Sequence, residues 1–580
     1  MKPVIYQVFP RLYTNVNNSC VPAGDLSVNG CGKFNHYTPE LLKSIRDLGA
    51  THIWFTGVIE HASATDYRAF GIALDNPNVV KGKAGSPYAI RDYYDVDPDL
   101  AEDVPHRMKE FEALVKRVHK AGMKMIIDFV PNHVARQYHS DCAPDHVSDL
   151  GANDDKTKAF APDNNFYYIP CQQFSPCIPQ VAGAEPYIEF PARVSGNDCF
   201  TAFPGVNDWY ETVKLNYGID FGDGSRHFDP VPDTWYKMVN ILLYWAGKGV
   251  DGFRCDMAHM VPVEFWAWAI SIVREQFPKV IFIAEIYDTG LYYDYIHRAG
   301  FDYLYDKVNL YDTLRGIQTG NVSAAQLTNA WQRIDGLGPH MLNFLENHDE
   351  QRFGSPQYAG NPALVTPSLV VSTFFSTGPM MVYMAQELGE QALDAEGFSG
   401  KDGRTTIFDY WSMPTTRRWL ATGAPDNEAL TPDEQRLRKL YATVMNLANS
   451  EKAIAEGGFF DLMYVNYDNP SLNPHRHYTF LRHAGDDIIL VAVNFDDSDA
   501  HLRINIPAHA FATMGVVQAE KPVAALDLLT SEKAPKNFRA DMTFDTEVKA
   551  HGAVGWKIKN PAKSTKAKIT KKASTSKKKS

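Results

Sequence analysis

Eight short apolar runs recur along the first four hundred residues, and they limit the fold more than any other feature. They are VIYQVF (4–9), HIWFTG (52–57), MIIDFV (125–130), GVDGFRC (249–255), VIFIAE (280–285), FDYLYD (301–306), HMLNFLE (340–346) and MMVYMA (380–385). Near-continuous apolarity over so few residues is the signature of a strand covered on both faces, as in a parallel sheet. Between the runs lie helical spacings: Leu41, Leu42, Ile45 and Leu48; Met108, Phe111, Leu114, Val115 and Val118; and, more loosely, Phe265, Ile270, Val273 and Phe277. Eight strand–helix units predict an α/β fold closed into a (β/α)8 TIM barrel.

Two stretches depart from this rhythm. From Val134 to Lys248 the chain is too long for one loop and one helix, and residues 134–215 are rich in Pro, Asn, Asp, Tyr and Cys with little periodicity. An insertion of that length reads as a small irregular domain after the third strand. Beyond about residue 470 the runs HYTFLRH, DIILVAVNF, HLRINIP and AVGWKIK alternate and are β-rich, which predicts an antiparallel β-sandwich. The resulting division is barrel 1–133, inserted domain 134–215, barrel 216–465, sandwich 466–560 and a tail over 561–580. That tail carries about eight lysines and one bulky apolar residue, Ile569, and such a composition cannot bury enough surface to fold.

Composition narrows the function classes. A formal net charge of −12 argues against a nucleic-acid partner, and no run is long and apolar enough to span a bilayer. The N-terminus MKPVIYQVFPRLY has a proline at position 3 and no apolar core of a secretory signal. A cytoplasmic location is therefore the default expectation, or an extracytoplasmic one if a leader was trimmed. Of the cysteines, Cys20 and Cys31 are near neighbours, and Cys142, Cys171, Cys177 and Cys199 share one loop-rich region. Three disulfides plus Cys255 would fit that count, but reduced thiols are the preferred reading, and no pair has zinc-site spacing.

In such a barrel, chemistry gathers at the C-terminal ends of the strands. The third strand ends in DFVPNH, giving Asp128, Asn132 and His133. The fourth ends in Arg254 and Asp256, the fifth in Glu285, and the seventh in Asn347, His348, Asp349 and Arg352. Residues two apart in a strand point the same way, so Arg254 and Asp256 share a face. An isolated Arg-x-Asp is usually a structural ion pair, Glu285 alone could be a solvated strand end, and Asp349 alone a helix cap. Three carboxylates converging from three strands on one rim are harder to explain blandly.

The motifs in combination resemble the α-amylase superfamily of retaining, α-glucan-active glycoside hydrolases and transglycosidases, over roughly residues 4 to 560. DFVPNH resembles the first family motif, GFRCD the second, the AE of FIAEIY the third and the NHD of FLENHD the fourth. TVKLN (212–216) resembles the short motif closing the inserted domain, most like the neopullulanase version, and SPYAIRDYYDVDP (86–98) the loop carrying a sugar-stacking tyrosine. The resemblance implies Asp256 as nucleophile, Glu285 as general acid/base and Asp349 as transition-state stabiliser. It further implies Tyr88, His133, Arg254, His348 and Arg352 as substrate-binding residues, and an α-glucan or maltooligosaccharide as substrate. An oxocarbenium-like transition state independently asks for one ionised and one protonated carboxyl; Arg254 is expected to hold Asp256 ionised, and ionised neighbours to keep Glu285 protonated.

The sequence departs from the family in two places. Met257, Ala258, His259 and Met260 stand where many members have small residues followed by Lys-His, and Thr212-Val213 stand where neopullulanases have Met-Pro. The first departure leaves the acceptor preference open. No cofactor is required for the chemistry, while Asn132 matches a position that binds structural calcium in many relatives. Hydrolysis leads; transglycosylation uses the same residues; a non-catalytic scaffold conflicts with the intact carboxylate trio.

Overall fold

The computed structural model describes residues 2–485, 487–516, 522–534 and 538–559; the lysine-rich stretch 561–580 lies outside them. Eight strands close a barrel: β1 (Val4–Val8), β2 (His52–Phe55), β3 (Lys124–Phe129), β4 (Gly252–Cys255), β5 (Ile281–Ala284), β6 (Tyr303–Tyr305), β7 (Met341–Phe344) and β8 (Met380–Tyr383). Each pairs in parallel with the next, and β8 returns to β1. All eight expected runs are barrel strands. They are apolar throughout because side chains on one face fill the barrel while those on the other meet the helices.

The helices are cut where local chemistry cuts them. In α1 (Pro39–Leu48), Thr38 caps the start by accepting the Leu41 N–H, Pro39 opens the first turn, and Gly49 ends it at φ +116°, a conformation that disfavours any side chain. Its buried face is Leu41, Leu42, Ile45 and Leu48, and α2 (Arg107–Lys120) buries Phe111, Leu114, Val115 and Val118. In α4 (Val263–Gln276), which follows α3 (Asp233–Gly247), Phe277 falls just past the end instead of extending the stripe.

The chain after β3 does not go straight to a helix. His133–Ala135 pairs antiparallel with Thr212–Lys214, His133 opposite Lys214, so the intervening residues leave and re-enter the barrel at one point. Within the insertion, Arg136 is fully buried; it donates to Glu189 and Ser195 and lies over the Phe174 ring at 3.6 Å. Few apolar residues need be spent where one satisfied arginine organises the loops.

Beyond the barrel, β9 (Gly458–Asp461), β10 (His477–Ala484), β11 (Asp487–Asn494), β13 (Ala525–Asp527) and β15 (Ala553–Lys559) form a sheet in the order β9-β10-β11-β15-β13. A second sheet pairs β12 (Ala500–Ile506) with β14 (Met542–Val548). Leu481, Leu490, Ile504, Phe544 and Trp556 belong to one core between them. The sheet begins at Gly458, eight residues before the boundary read at 466; GFFD does not alternate in polarity and so gave no strand signal. At the junction with the barrel, the fully buried Arg482 donates to the carbonyls of Phe375, Ala453, Ile454 and Gly457. No described helix is long and apolar enough to cross a membrane. All seven cysteines are described, and none is in a disulfide.

Candidate active site

Strand register places the polar rim. Arg254 on β4 is level with Asp128 on β3 and with Ile283 on β5, so its side chain enters the barrel mouth between two carboxylate-bearing strand ends. It is fully buried and becomes the hub of the site. Nη1 donates to Asp256 Oδ1 at 2.9 Å and to Asp128 Oδ1 at 3.4 Å, Nη2 forms an ion pair with Glu285 Oε2 at 2.8 Å, and Nε donates to the Tyr305 hydroxyl at 3.2 Å. The rings of Trp54, Tyr88 and Tyr305 surround the guanidinium at 5.3–5.5 Å, attracting the cation while keeping water away.

The turn after β4 is shaped around Glu285. Met257 adopts φ +42°, a left-handed conformation uncommon for a side-chain-bearing residue. It points the Met257 N–H at Glu285 Oε2, 2.8 Å away. The other oxygen, Oε1, accepts the Tyr287 hydroxyl at 2.6 Å. On β7's side, Gln7 Nε2 lies 2.8 Å from His348 Nδ1. The other ring nitrogen, His348 Nε2, lies 3.0 Å from Asp349 Oδ2.

Three carboxylates on one rim cannot all ionise freely. Burial, then the charge of Glu285, pushes Asp256 well above the usual carboxylate range, against the pull of Arg254. This reverses the sequence expectation that Arg254 would dominate: one guanidinium is shared among Asp128, Asp256 and Glu285, and desolvation outweighs a third of a cation. Asp349 goes the other way. Burial alone would raise it, but His348, Arg254 and Arg404 together hold it below its ordinary value. His133 is pushed down to about 3 by burial and by Lys214 and Lys81, so it is neutral at physiological pH.

These groups open onto a cleft of about 780 Å³, lined by Tyr88, His133, Asp256, Glu285 and Asp349, a volume suited to several sugar rings or a drug-sized ligand. Arg254 and His348 stand behind this wall with their polar atoms engaged by neighbours. Arg352 does not reach the cleft. It is fully buried, donating to Glu346, Thr405 and the Met384 carbonyl and lying 4.2 Å from the Tyr383 ring. The turn after Asp349 swings it into the barrel wall, and burial raises its partner Glu346 to about 7. Its assignment to substrate is therefore replaced by a structural one.

Several wall residues escaped the sequence reading: Lys81, Trp209, Tyr287, Phe398 and Asp409. Tyr287 carried a signal, being two residues past Glu285 at the same strand end. Trp209 and Phe398 sit on long loops whose course no periodicity reveals; the Trp209 ring lies 5.1 Å from His133.

Asn132, the expected calcium ligand, has a different neighbour. Its Oδ1 accepts Lys214 Nζ at 2.8 Å, and the same ammonium pairs with Asp198 at 2.5 Å. Asn132 Nδ2 donates to the Gly196 carbonyl. A cation of this chain already occupies the donor set, and among the described residues no cluster of three or more His, Cys, Asp or Glu could hold a metal ion. The residues at Asn132 do not fit a calcium ion.

A model of the α-amylase catalytic domain matches residues 7–418. Among similar curated proteins, α-1,4-glucan:maltose-1-phosphate maltosyltransferase of Rhodospirillum rubrum is 26% identical over 421 residues, 71% of this chain and 47% of that protein. Neopullulanase 2 of Thermoactinomyces vulgaris is 21% identical, over 67% of this chain and 56% of that protein. The chain thus spans about half the length of these relatives. The solved structure of an Anoxybacillus α-amylase is similar in fold, with a TM-score of 0.61 at 18% identity, covering 96% of this chain and 98% of that one.

Proposed function

The chain belongs to the α-amylase family, and from that premise we propose that it is a retaining glycosidase cleaving α-1,4 glucosidic bonds in starch-derived oligosaccharides. The observation that carries this reading is the sharing of one buried guanidinium: Arg254 touches both Asp256 and Glu285, and both line the cleft beside Asp349. Two carboxyls held by one guanidinium at a single cleft supply the nucleophile and the acid/base that a retaining reaction needs.

The steps follow from the charges. Burial and the charge of Glu285 let Asp256 keep a proton to higher pH than an isolated carboxylic acid would, so the site holds a proton, and the reaction needs it on Glu285 when substrate is bound. With a glycosidic oxygen against Glu285, that proton goes to the leaving group while an Asp256 oxygen bonds to the anomeric carbon. The C–O bond breaks, and an ester joins sugar and Asp256. Asp349, held ionised by His348, Arg254 and Arg404, supplies negative charge for the oxocarbenium-like transition state. Glu285 then takes a proton from the incoming water, which displaces Asp256 with a second inversion and net retention. Tyr88 offers a ring face, and neutral His133 a hydrogen-bonding edge, to the sugar.

A second reading is transfer to a sugar hydroxyl. Met257 and Tyr287 line the cleft beside Glu285, which is the leaving-group side by the role proposed for Glu285. An apolar and aromatic surface there favours a sugar ring over water. The R. rubrum relative is by name a transferase.

One experiment tests the shared chemistry. Glu285→Gln incubated with α-maltosyl fluoride is expected to form the glycosyl-enzyme, because fluoride departs without a proton, and then to stall for want of a base. Mass spectrometry locates the sugar on Asp256; label on Asp349, or a β anomer as first product of the wild type, would falsify the assignment. Reducing ends released from maltoheptaose then separate the readings: they rise under hydrolysis and stay constant under pure transfer.

A further inference from the structure

We propose that Tyr287 is a positioning residue that fixes which oxygen of Glu285 carries the transferred proton and holds that oxygen toward the scissile bond. The proposal rests on the reading of Glu285 as general acid/base.

The two oxygens of Glu285 have unequal surroundings. Oε2 faces the Met257 N–H at 2.8 Å and the Arg254 guanidinium at 2.8 Å. Both neighbours only donate, so a proton on Oε2 would meet donors alone. Oε1 faces a single partner, the Tyr287 hydroxyl at 2.6 Å, and a phenol both donates and accepts. A protonated Glu285 therefore carries its proton on Oε1. Tyr287 donates while Oε1 is ionised and accepts, or turns aside, once Oε1 is protonated.

The hydroxyl is held for this work. Glu285 and Tyr287 are separated by the fully buried Ile286, so strand-like alternation sends both side chains to the same side. The Tyr287 ring stands edge-on to His259 at 6.3 Å, and its own proton stays on because burial and the charge of Glu285 push the phenol well above its ordinary value. The other ionisable groups around the pair are Arg254 and Asp256 from β4, His259 from the turn after it, Tyr305 from β6 and Asp349 after β7.

Removing the hydroxyl deletes the hydrogen bond that Oε1 accepts from Tyr287, a bond that favours the ionised carboxylate. Tyr287→Phe is therefore expected to move the alkaline limb of kcat/KM upward by ~1 pH unit. On maltooligosaccharides it is expected to lower kcat by roughly 10–100-fold with KM little changed. With α-maltosyl fluoride, whose departure needs no proton, the rate of glycosyl-enzyme formation is expected to stay within about twofold of wild type. Tyr287→His, which keeps an aromatic ring able to donate and accept, is expected to recover part of the kcat. A wild-type alkaline limb in Tyr287→Phe, or a change confined to KM, overturns the proposal and leaves Tyr287 as a wall for the sugar ring. Glu285→Gln measured alongside separates the two levels. If it retains the alkaline limb and wild-type kcat on maltooligosaccharides, the acid/base reading itself fails. If it loses both while Tyr287→Phe keeps both, only the role of Tyr287 fails.

Discussion

Two buried cations sit near the mouth of this barrel, and they are treated in opposite ways. Arg254 faces three carboxylates, Asp128, Asp256 and Glu285, and burial pushes Asp128 up and Asp256 well up against its pull. Lys214, at the root of the inserted domain, meets one carboxylate, Asp198, and one amide oxygen, Asn132. At the root, charges cancel one for one, as suits a joint that only has to stay closed. At the rim, negative charge exceeds positive, and a proton must be held that can later be moved. Stability is given up where chemistry occurs and secured a few residues away.

That contrast is broken most directly at Asp256. Asp256→Asn removes the nucleophile with almost no change of shape, and turnover of maltooligosaccharides is expected to fall by at least about 10⁴-fold. Stability is expected to move the other way. The folded-state pKa of Asp256 is raised, so its favourable contribution is complete below the unfolded value of about 4 and is lost as pH rises through the folded one. The variant escapes that loss. Its Tm is expected to match wild type below about pH 4 and to exceed it increasingly at higher pH, read by calorimetry across a pH series. A variant that melts lower at neutral pH would mean that Arg254 outweighs the repulsion after all.

The root is expected to respond in mirror image. Lys214→Met leaves Asp198 and Asn132 without their cation and should lower Tm by roughly 5 °C, while kcat of the folded fraction stays within about threefold of wild type, because no step proposed above uses Lys214. A chelator should leave the wild-type Tm unchanged, since the ammonium already fills the donor set at Asn132. A chelator-induced drop, restored by calcium, would contradict the disagreement seen at Asn132.

The same contrast explains what could be read from the sequence. Barrel strands were legible because burial on both faces leaves an apolar run, and the rim carboxylates because strand ends have a fixed direction. Arg352 was misread for want of such a rule: it lies past the strand, and only the packing of the turn sends it to Glu346 instead of the cleft. Lys214 was visible in TVKLN, but its partner Asp198 comes from an irregular loop whose path depends on tertiary contacts. Tyr287 was the avoidable omission. The two-residue alternation that paired Arg254 with Asp256 pairs Glu285 with Tyr287 equally well.

Cys255 offers the smallest effect and the cleanest control, because it lies between Arg254 and Asp256 yet faces away from both. Strand alternation turns its side chain toward the helices, and it is fully buried within the main core. Burial pushes its thiol well above the ordinary cysteine range, so little thiolate exists to react. Cys255→Ala is expected to cost about 1 kcal/mol through lost packing, lowering Tm by only a degree or two. The pH profile of kcat/KM should be unchanged, since neither Arg254 nor Asp256 touches the sulfur. Thiol reagents on native enzyme should modify the exposed Cys171 and Cys177 first, ahead of Cys142, whose thiol donates to Asp95 and is pushed up to about 12 by burial and that carboxylate. Rapid modification of Cys255 with loss of activity would show that β4 opens at the rim. The imbalance around Arg254 would then be a source of local motion as well as of a held proton.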